Sequence, residues 1–361
     1  MKQKFPLTHS SRGTYFTCPR KYLLSYHLGI RKVRDPDYLR LGGNWAYAHY
    51  LFRDKDFKTA INWIDATYGV YPKWATSQDD RNGWKVEREI LLRLLNAYQW
   101  RWEKQAIVFV QAEAAFNLPI YNPNGQSTST RHSMAGVRDG IVRSTTTGEL
   151  CLFEQKLVAE DISPAATVWK VFQVDDQTTG YLDASRRMGQ DVKSVIFDLT
   201  RKPGIRPKAP VKKDVSDWPM YFGERQPGLE PPERESVAMY GARLAMDIYN
   251  RPDWYFNRRV ITRSADEIGE YRYDLWDKHR SIMRSETDNI WPKNSRSCEL
   301  RGTCEYLTDF CSQNIKPQVG DELPEGFHFV DDVHPEVTRH TLVEDVAKAN
   351  ETTPATATAC A

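Results

Sequence analysis

The chain has 361 residues, 40% of them hydrophobic and 12% aromatic, with a net charge of +2. That supplies ample material for a core, and it means that any nucleic-acid contact must gather its positive charge locally. No apolar run approaches the roughly 20 residues that span a bilayer, and the start Met1-Lys-Gln-Lys-Phe-Pro6 lacks a secretion-type apolar stretch. The expectation is a cytoplasmic protein, in a bacterial or phage-infected cell, with no membrane partner.

Thr8-His-Ser-Ser11 offers capping residues for a helix over 8–28 that carries Cys18, Tyr22 and Tyr26. A second helical stretch is expected over 43–70, then a Pro/Asp/Asn-rich break at 71–83. The clearest helix is 87–103, where Ile90, Leu91, Leu94, Leu95 and Tyr98 form an apolar stripe. Strands are expected at 107–120, 132–143 and 150–159, a helix through 164–188 and a strand at 192–199. Residues 202–236 are proline-rich and read as an insertion in which Trp218 to Phe222 could anchor; helices resume at 237–249 and about 265–288. Residues 336–361 drift into a low-complexity tail. There is no Gly-x-x-x-x-Gly-Lys-Ser/Thr, so the chain carries no helicase motor.

Two runs hold most of the chemistry, Gly136-Val-Arg-Asp-Gly-Ile-Val142 and Leu152-Phe-Glu-Gln-Lys156. The stretch between them reads as a hairpin turn, and the midpoint of positions 139 and 154 falls inside it, at Thr146/Thr147. Asp139 and Glu154 then oppose each other across the hairpin, with Lys156 on the face of Glu154. Two carboxylates about 5 Å apart repel unless a cation sits between them. Asp139, Glu154 and Lys156 therefore suggest a metal-dependent hydrolytic site, against the plainer reading of a strand-end Asp and an exposed ion pair.

This pattern resembles the PD-(D/E)xK nuclease superfamily, in its RecB-like exonuclease branch. Gln177-Thr-Thr-Gly-Tyr181 is similar to that branch's Q-x-x-x-Y motif, and Gly42-Gly-Asn-Trp-Ala-Tyr-Ala-His49 to its Gly-rich helix start ending in a metal-binding His. The resemblance implies a restriction-endonuclease-like α/β/α core over about 105–200, within a single domain reaching residue 335. It implies Mg²⁺ or Mn²⁺ on Asp139, Glu154, His49 and the Gln155 carbonyl, Lys156 acting on the attacking water, and Gln177 and Tyr181 supporting the hairpin and the DNA end. Glu113 sits where the family often carries an acidic residue before its hairpin. Arg258 and Arg259, beside Trp254, Tyr255 and Phe256, are candidate phosphate and base contacts.

Six cysteines add a further pattern. Cys18 near the start and Cys298, Cys304 and Cys311 near the end resemble the 4Fe–4S clasp of several RecB-like nucleases, among them the AddB nuclease domain and CRISPR-associated adaptation nucleases. Such a clasp would join the helical N-terminal and C-terminal segments; zinc is the other metal that four thiolates accept. Cys151 has the parity of a core residue facing away from Glu154, and Cys360 lies in the tail. The resemblance implies a DNA exonuclease acting on single strands or duplex ends in recombination, repair or phage DNA metabolism. It leaves room for a homo-oligomer or a recombination-complex partner. The competing class is a non-catalytic DNA-binding or assembly subunit of a recombination or CRISPR-adaptation complex.

Overall fold

The computed structural model describes residues 4–34, 37–208, 235–300, 302–335 and 337–338. Most of the proline-rich run with Trp218 to Phe222, and the tail with Cys360, lie outside the described residues. In chain order the elements are β1 (Phe5–Leu7), α1 (His9–Thr17), α2 (Pro19–Tyr22), β2 (Ile30–Lys32), α3 (Asp37–Asp54), α4 (Phe57–Gly69), α5 (Gln78–Arg101), β3 (Ile107–Tyr121), β4 (Thr128–Ser144) and β5 (Leu150–Val158). They continue with α6 (Val168–Gln173), α7 (Asp176–Arg187), β6 (Val192–Arg201), α8 (Val237–Asn250), α9 (Pro252–Tyr255), β7 (Phe256–Thr262), α10 (Ala265–Asp288) and β8 (Phe327–Phe329).

Several expected helices are cut where the backbone chemistry demands it. Thr8 caps α1 through its side chain, but the helix stops at Cys18-Pro19, because proline lacks the N–H that continuation needs. The stretch 43–70 is two helices, parted at Asp56, whose carboxylate caps α4 through the Thr59 N–H. The first of them already begins at Asp37, so Gly42 and Gly43 lie inside α3 and not at its start. The helix expected over 87–103 begins at Gln78, because Ser77 and Asp80 form a reciprocal capping box. Its apolar stripe is buried as expected at Leu91, Leu94, Leu95 and Tyr98. The span 164–188 is likewise two helices, the second started by Asp175, which accepts from the Thr178 N–H.

The main sheet has six strands in the order β1-β4-β5-β6-β7, with β3 pairing along the other edge of β4. β1 and β5 share one edge of β4. β1 runs parallel to it at residues 132–134, whereas β5 runs antiparallel and pairs with residues 140–143. Between these ladders the inner edge of β4 has no strand partner among the described residues, and Asp139 stands at the margin of that gap. Gly148, at φ +76°, closes the β4–β5 turn, a conformation that side-chain-bearing residues adopt at a cost.

Side-chain alternation divides the core between the two sheet faces. Ile141, Leu152, Val195, Phe197 and Leu199 face a layer that contains Trp169, Tyr181, Leu182, Tyr271 and Leu275 of α6, α7 and α10. Phe153, Val142, Cys151 and Ile196 face the opposite side, where α3, α4, α5 and α8 form their own apolar cluster. This is a three-layer α/β arrangement. The N-terminal and C-terminal segments meet through antiparallel pairing of β2 with β8, a small cluster of Leu24, Ile30, Tyr306 and Phe310, and a hydrogen bond from Asn294 to the Thr17 carbonyl, 2.8 Å. Among the described residues no helix is long and apolar enough to cross a membrane.

Candidate hydrolytic site and cysteine pocket

The register of the hairpin, with Gly140 opposite Phe153, makes Asp139 and Glu154 the next facing pair, as the turn arithmetic requires. Where the strands part, the Asp139 side chain takes the place of the ladder and its Oδ2 accepts the Gln155 N–H at 2.7 Å. Lys156 Nζ donates to Glu154 Oε1 at 2.7 Å and to Gln177 Oε1 at 2.9 Å. Gln177 Nε2 in turn donates to the Tyr181 hydroxyl at 2.9 Å, one helical turn along α7. Asp139, Glu154, Lys156, Gln177 and Tyr181 thus meet on one sheet face, and the last four form one continuous hydrogen-bonded chain.

Burial dominates the electrostatics. It raises the pKa of Glu154, with the Lys156 ammonium pulling the other way and Asp139 adding to the rise. Asp139 is also raised by burial, against the pull of Arg53 and Lys156 and the Gln155 N–H. Burial opposes the charge on Lys156, but the touching Glu154 carboxylate outweighs it and holds the ammonium above the ordinary lysine value. Two desolvated carboxylates have only Lys156, bonded to Glu154, and the charge of Arg53 acting on Asp139 to favour their ionised forms; a divalent cation would favour them further.

His49 lies on α3 with neither ring nitrogen hydrogen-bonded, fully buried against Tyr98 at 4.1 Å and Trp45 at 4.5 Å between ring centroids. Burial, then Arg53 and Arg258, push its pKa well below the ordinary value and keep the ring neutral, the form that binds metal. An orphaned buried imidazole and two desolvated carboxylates are in kind the right donors. Among the described residues, however, no three His, Cys, Asp or Glu side chains are drawn together closely enough to hold a metal ion.

The same limit applies to the cysteines. Cys18, Cys298, Cys304 and Cys311 all line one cavity of about 150 Å³, together with Lys21 and Lys293. Burial and then the neighbouring Cys304 sulfur raise the pKa of both Cys298 and Cys311, with Cys18 also contributing. The four thiols converge without forming a ligand set. Cys151 is buried on the far sheet face, as its parity predicts.

A model of the PD-(D/E)XK nuclease superfamily matches residues 6–305. The chain belongs to this superfamily. A solved structure from Eubacterium rectale, described as "Putative exonuclease", is similar at 10% identity and a TM-score of 0.42, covering 88% of this chain and 90% of that one. No curated protein sequence matches significantly.

In this nuclease Arg258 does not offer its guanidinium to the surface. It donates to Asp198 Oδ1 at 2.8 Å, to Gln105 Oε1 at 2.7 Å and to the Tyr98 hydroxyl at 2.6 Å. Asp198 is fully buried, and a buried carboxylate needs a cation. Arg259 points to the other face, over Trp169 and onto the Pro164 carbonyl at 2.7 Å. Sequence reasoning missed Arg53, whose spacing of four from His49 was the available signal. Its Nε donates to the His49 carbonyl at 3.1 Å and its Nη1 is buried without a partner. Glu113 sits on β3 between Ala112, opposite Gly140, and Ala114, opposite Arg138. It therefore extends the row of Asp139 and Glu154, with a positive φ of +25° that is uncommon for a residue other than glycine or asparagine.

Proposed function

We propose that this nuclease is a metal-dependent DNA exonuclease of the RecB-like branch, acting on single strands or duplex ends. The observation that carries this reading is the convergence of Asp139, Glu154 and Lys156 with Gln177 and Tyr181. Asp139, Glu154, His49 and the Gln155 carbonyl would hold Mg²⁺ or Mn²⁺, which when bound lowers the pKa of a water and offsets charge on the scissile phosphate. Lys156 orients the attacking water and stabilises charge building on the phosphate oxygens. Gln177 fixes the lysine rotamer, and Tyr181 fixes Gln177. Hydrolysis by this set breaks a phosphodiester bond with water as the nucleophile.

In the same reading, residues up to about 335 form one nuclease unit, and Cys18, Cys298, Cys304 and Cys311 close around a 4Fe–4S cluster, or zinc. The cavity that all four line supports the clasp, and Lys21 and Lys293 suit an anionic centre. Recombination, repair or phage DNA metabolism are the settings that fit such an enzyme, alone or with an assembly partner.

The test is degradation of end-labelled linear DNA, single- and double-stranded, with Mg²⁺ or Mn²⁺, alongside circular substrates. The reading predicts processing of linear DNA from its ends, sparing of circles, and loss of activity in Asp139→Asn. Equal cutting of circles would replace exonuclease by endonuclease. DNA binding without cleavage by anaerobically prepared protein would favour the assembly-subunit role.

A further inference from the structure

On the sheet face away from Glu154 and Lys156, a cavity of about 450 Å³ opens between the end of α5, the start of β3 and the edge strand β7. Arg101, Lys104 and Arg258 contribute cationic side chains to its lining, Arg259 borders it from the edge strand, and no carboxylate lines it. Trp102, Ile107, Ile196 and Val260 supply an apolar wall. The volume lies within the range of small-ligand sites, roughly 300–1,000 Å³.

Part of the positive charge here is not consumed internally. Arg258 is balanced from behind by Asp198, but Arg101 shares only the exposed Asp253, a surface pair of little worth. Lys104 is exposed and has no ion-pair partner among the described residues, whereas Arg259 reaches the cavity only from the strand, its guanidinium lying on the other sheet face. One cation would serve the carbonyl end of α5; a second, Lys104 beside Arg101, at a cavity lined by no carboxylate suits an anion. The Arg258 guanidinium lies 3.8 Å from the centre of the Trp102 ring and is fixed by Asp198 and Gln105. With its nitrogens engaged, Arg258 serves the cavity as a fixed positive charge stacked on Trp102, and the hydrogen bonds to a ligand fall to Lys104 and Arg101.

We propose that this cavity binds a nucleotide bearing a terminal phosphate, the phosphate on Lys104 and Arg101 and the base against the Trp102 side. A free nucleoside monophosphate and the 5′-phosphorylated end of a strand present the same chemistry. Ile196 at the cavity pairs in register with Phe153, the neighbour of Glu154, so the two sites lie back to back across the sheet. The inference does not depend on hydrolysis.

It is tested by equilibrium binding to the full chain in EDTA, which prevents cleavage. The probes are dAMP, deoxyadenosine and a short oligonucleotide with or without a 5′-phosphate. Lys104 is exposed, so Lys104→Glu should fold; it is expected to weaken dAMP binding by about tenfold or more, whereas Lys156→Ala changes it by less than about twofold. Binding of dAMP alone identifies a free-nucleotide site, and matching preference for the phosphorylated oligonucleotide identifies a strand-end site. Either result with the Lys104 dependence supports the proposal. No binding of either probe at millimolar concentration overturns it. So does binding that Lys156→Ala removes and Lys104→Glu leaves unchanged, which would place the nucleotide at the hydrolytic site.

Discussion

The hairpin and the cysteine pocket gather their side chains by different means. Asp139, Glu154 and Lys156 come from two strands joined by a six-residue-wide turn, and register alone brings them together. Gln177 is added by one helix cap, and every polar contact there has ordinary hydrogen-bond length. The four cysteines instead arrive from positions 18 and 298–311 and meet only because the chain's two end segments pack. Among the described residues, no thiol of these four is oriented by a neighbour apart from a weak contact of Cys298 Sγ with the Asn294 carbonyl, 3.8 Å. Strand pairing fixes geometry before any ligand arrives, whereas end-to-end packing fixes only proximity and leaves the final spacing to whatever binds.

That contrast can be broken from either side. The largest expected effect is chelation: EDTA should reduce DNA cleavage to background while circular dichroism stays unchanged, because the hairpin needs no ligand to form. Arg258→Ala should cost about 3–5 kcal/mol of stability, read as a shift in denaturant midpoint, since it strands the buried Asp198 carboxylate. A loss confined to DNA affinity would contradict that assignment.

Serine at Cys18, Cys298, Cys304 or Cys311 should each remove bound metal and visible absorbance, and lower stability by roughly 2–5 kcal/mol; Cys151→Ser should leave the absorbance intact. If all five behave alike, the pocket holds no cluster. The smallest effect concerns Glu154. Its folded pKa is raised, so it favours the fold below its unfolded value and loses that contribution as pH rises through the folded value. Metal-free Glu154→Gln should therefore melt roughly 2–4 °C above the parent at pH 8–9, with little difference near pH 4, while cleaving no DNA.

Much of the hairpin was legible because a strand pair obeys arithmetic: a turn centre and a period of two place Asp139, Glu154, Lys156 and Cys151. What lay outside that arithmetic was harder. The first turns of α5 were hidden by Asp79, Asp80, Asn82 and Gly83, weak helix formers whose start is set by the Ser77 capping box. β7 was missed because Phe-Asn-Arg-Arg-Val-Ile-Thr lacks clean alternation, and its arginines, read as surface contacts, face opposite sides of the sheet. The three-residue strands β1, β2 and β8 are too short to show any period. The left-handed backbone at Glu113 and the seating of Arg53 over Phe109 and Phe153 are tertiary facts that no local pattern encodes.

The most direct measurement compares the parent with Lys156→Ala on end-labelled single-stranded DNA at saturating Mn²⁺. A lysine that acts on water and phosphate predicts a fall in kcat of about 10²–10⁴-fold with DNA affinity nearly unchanged and the circular dichroism of the folded protein retained. Undiminished cleavage by Lys156→Ala would show that the hairpin of Asp139 and Glu154 is not the reaction centre.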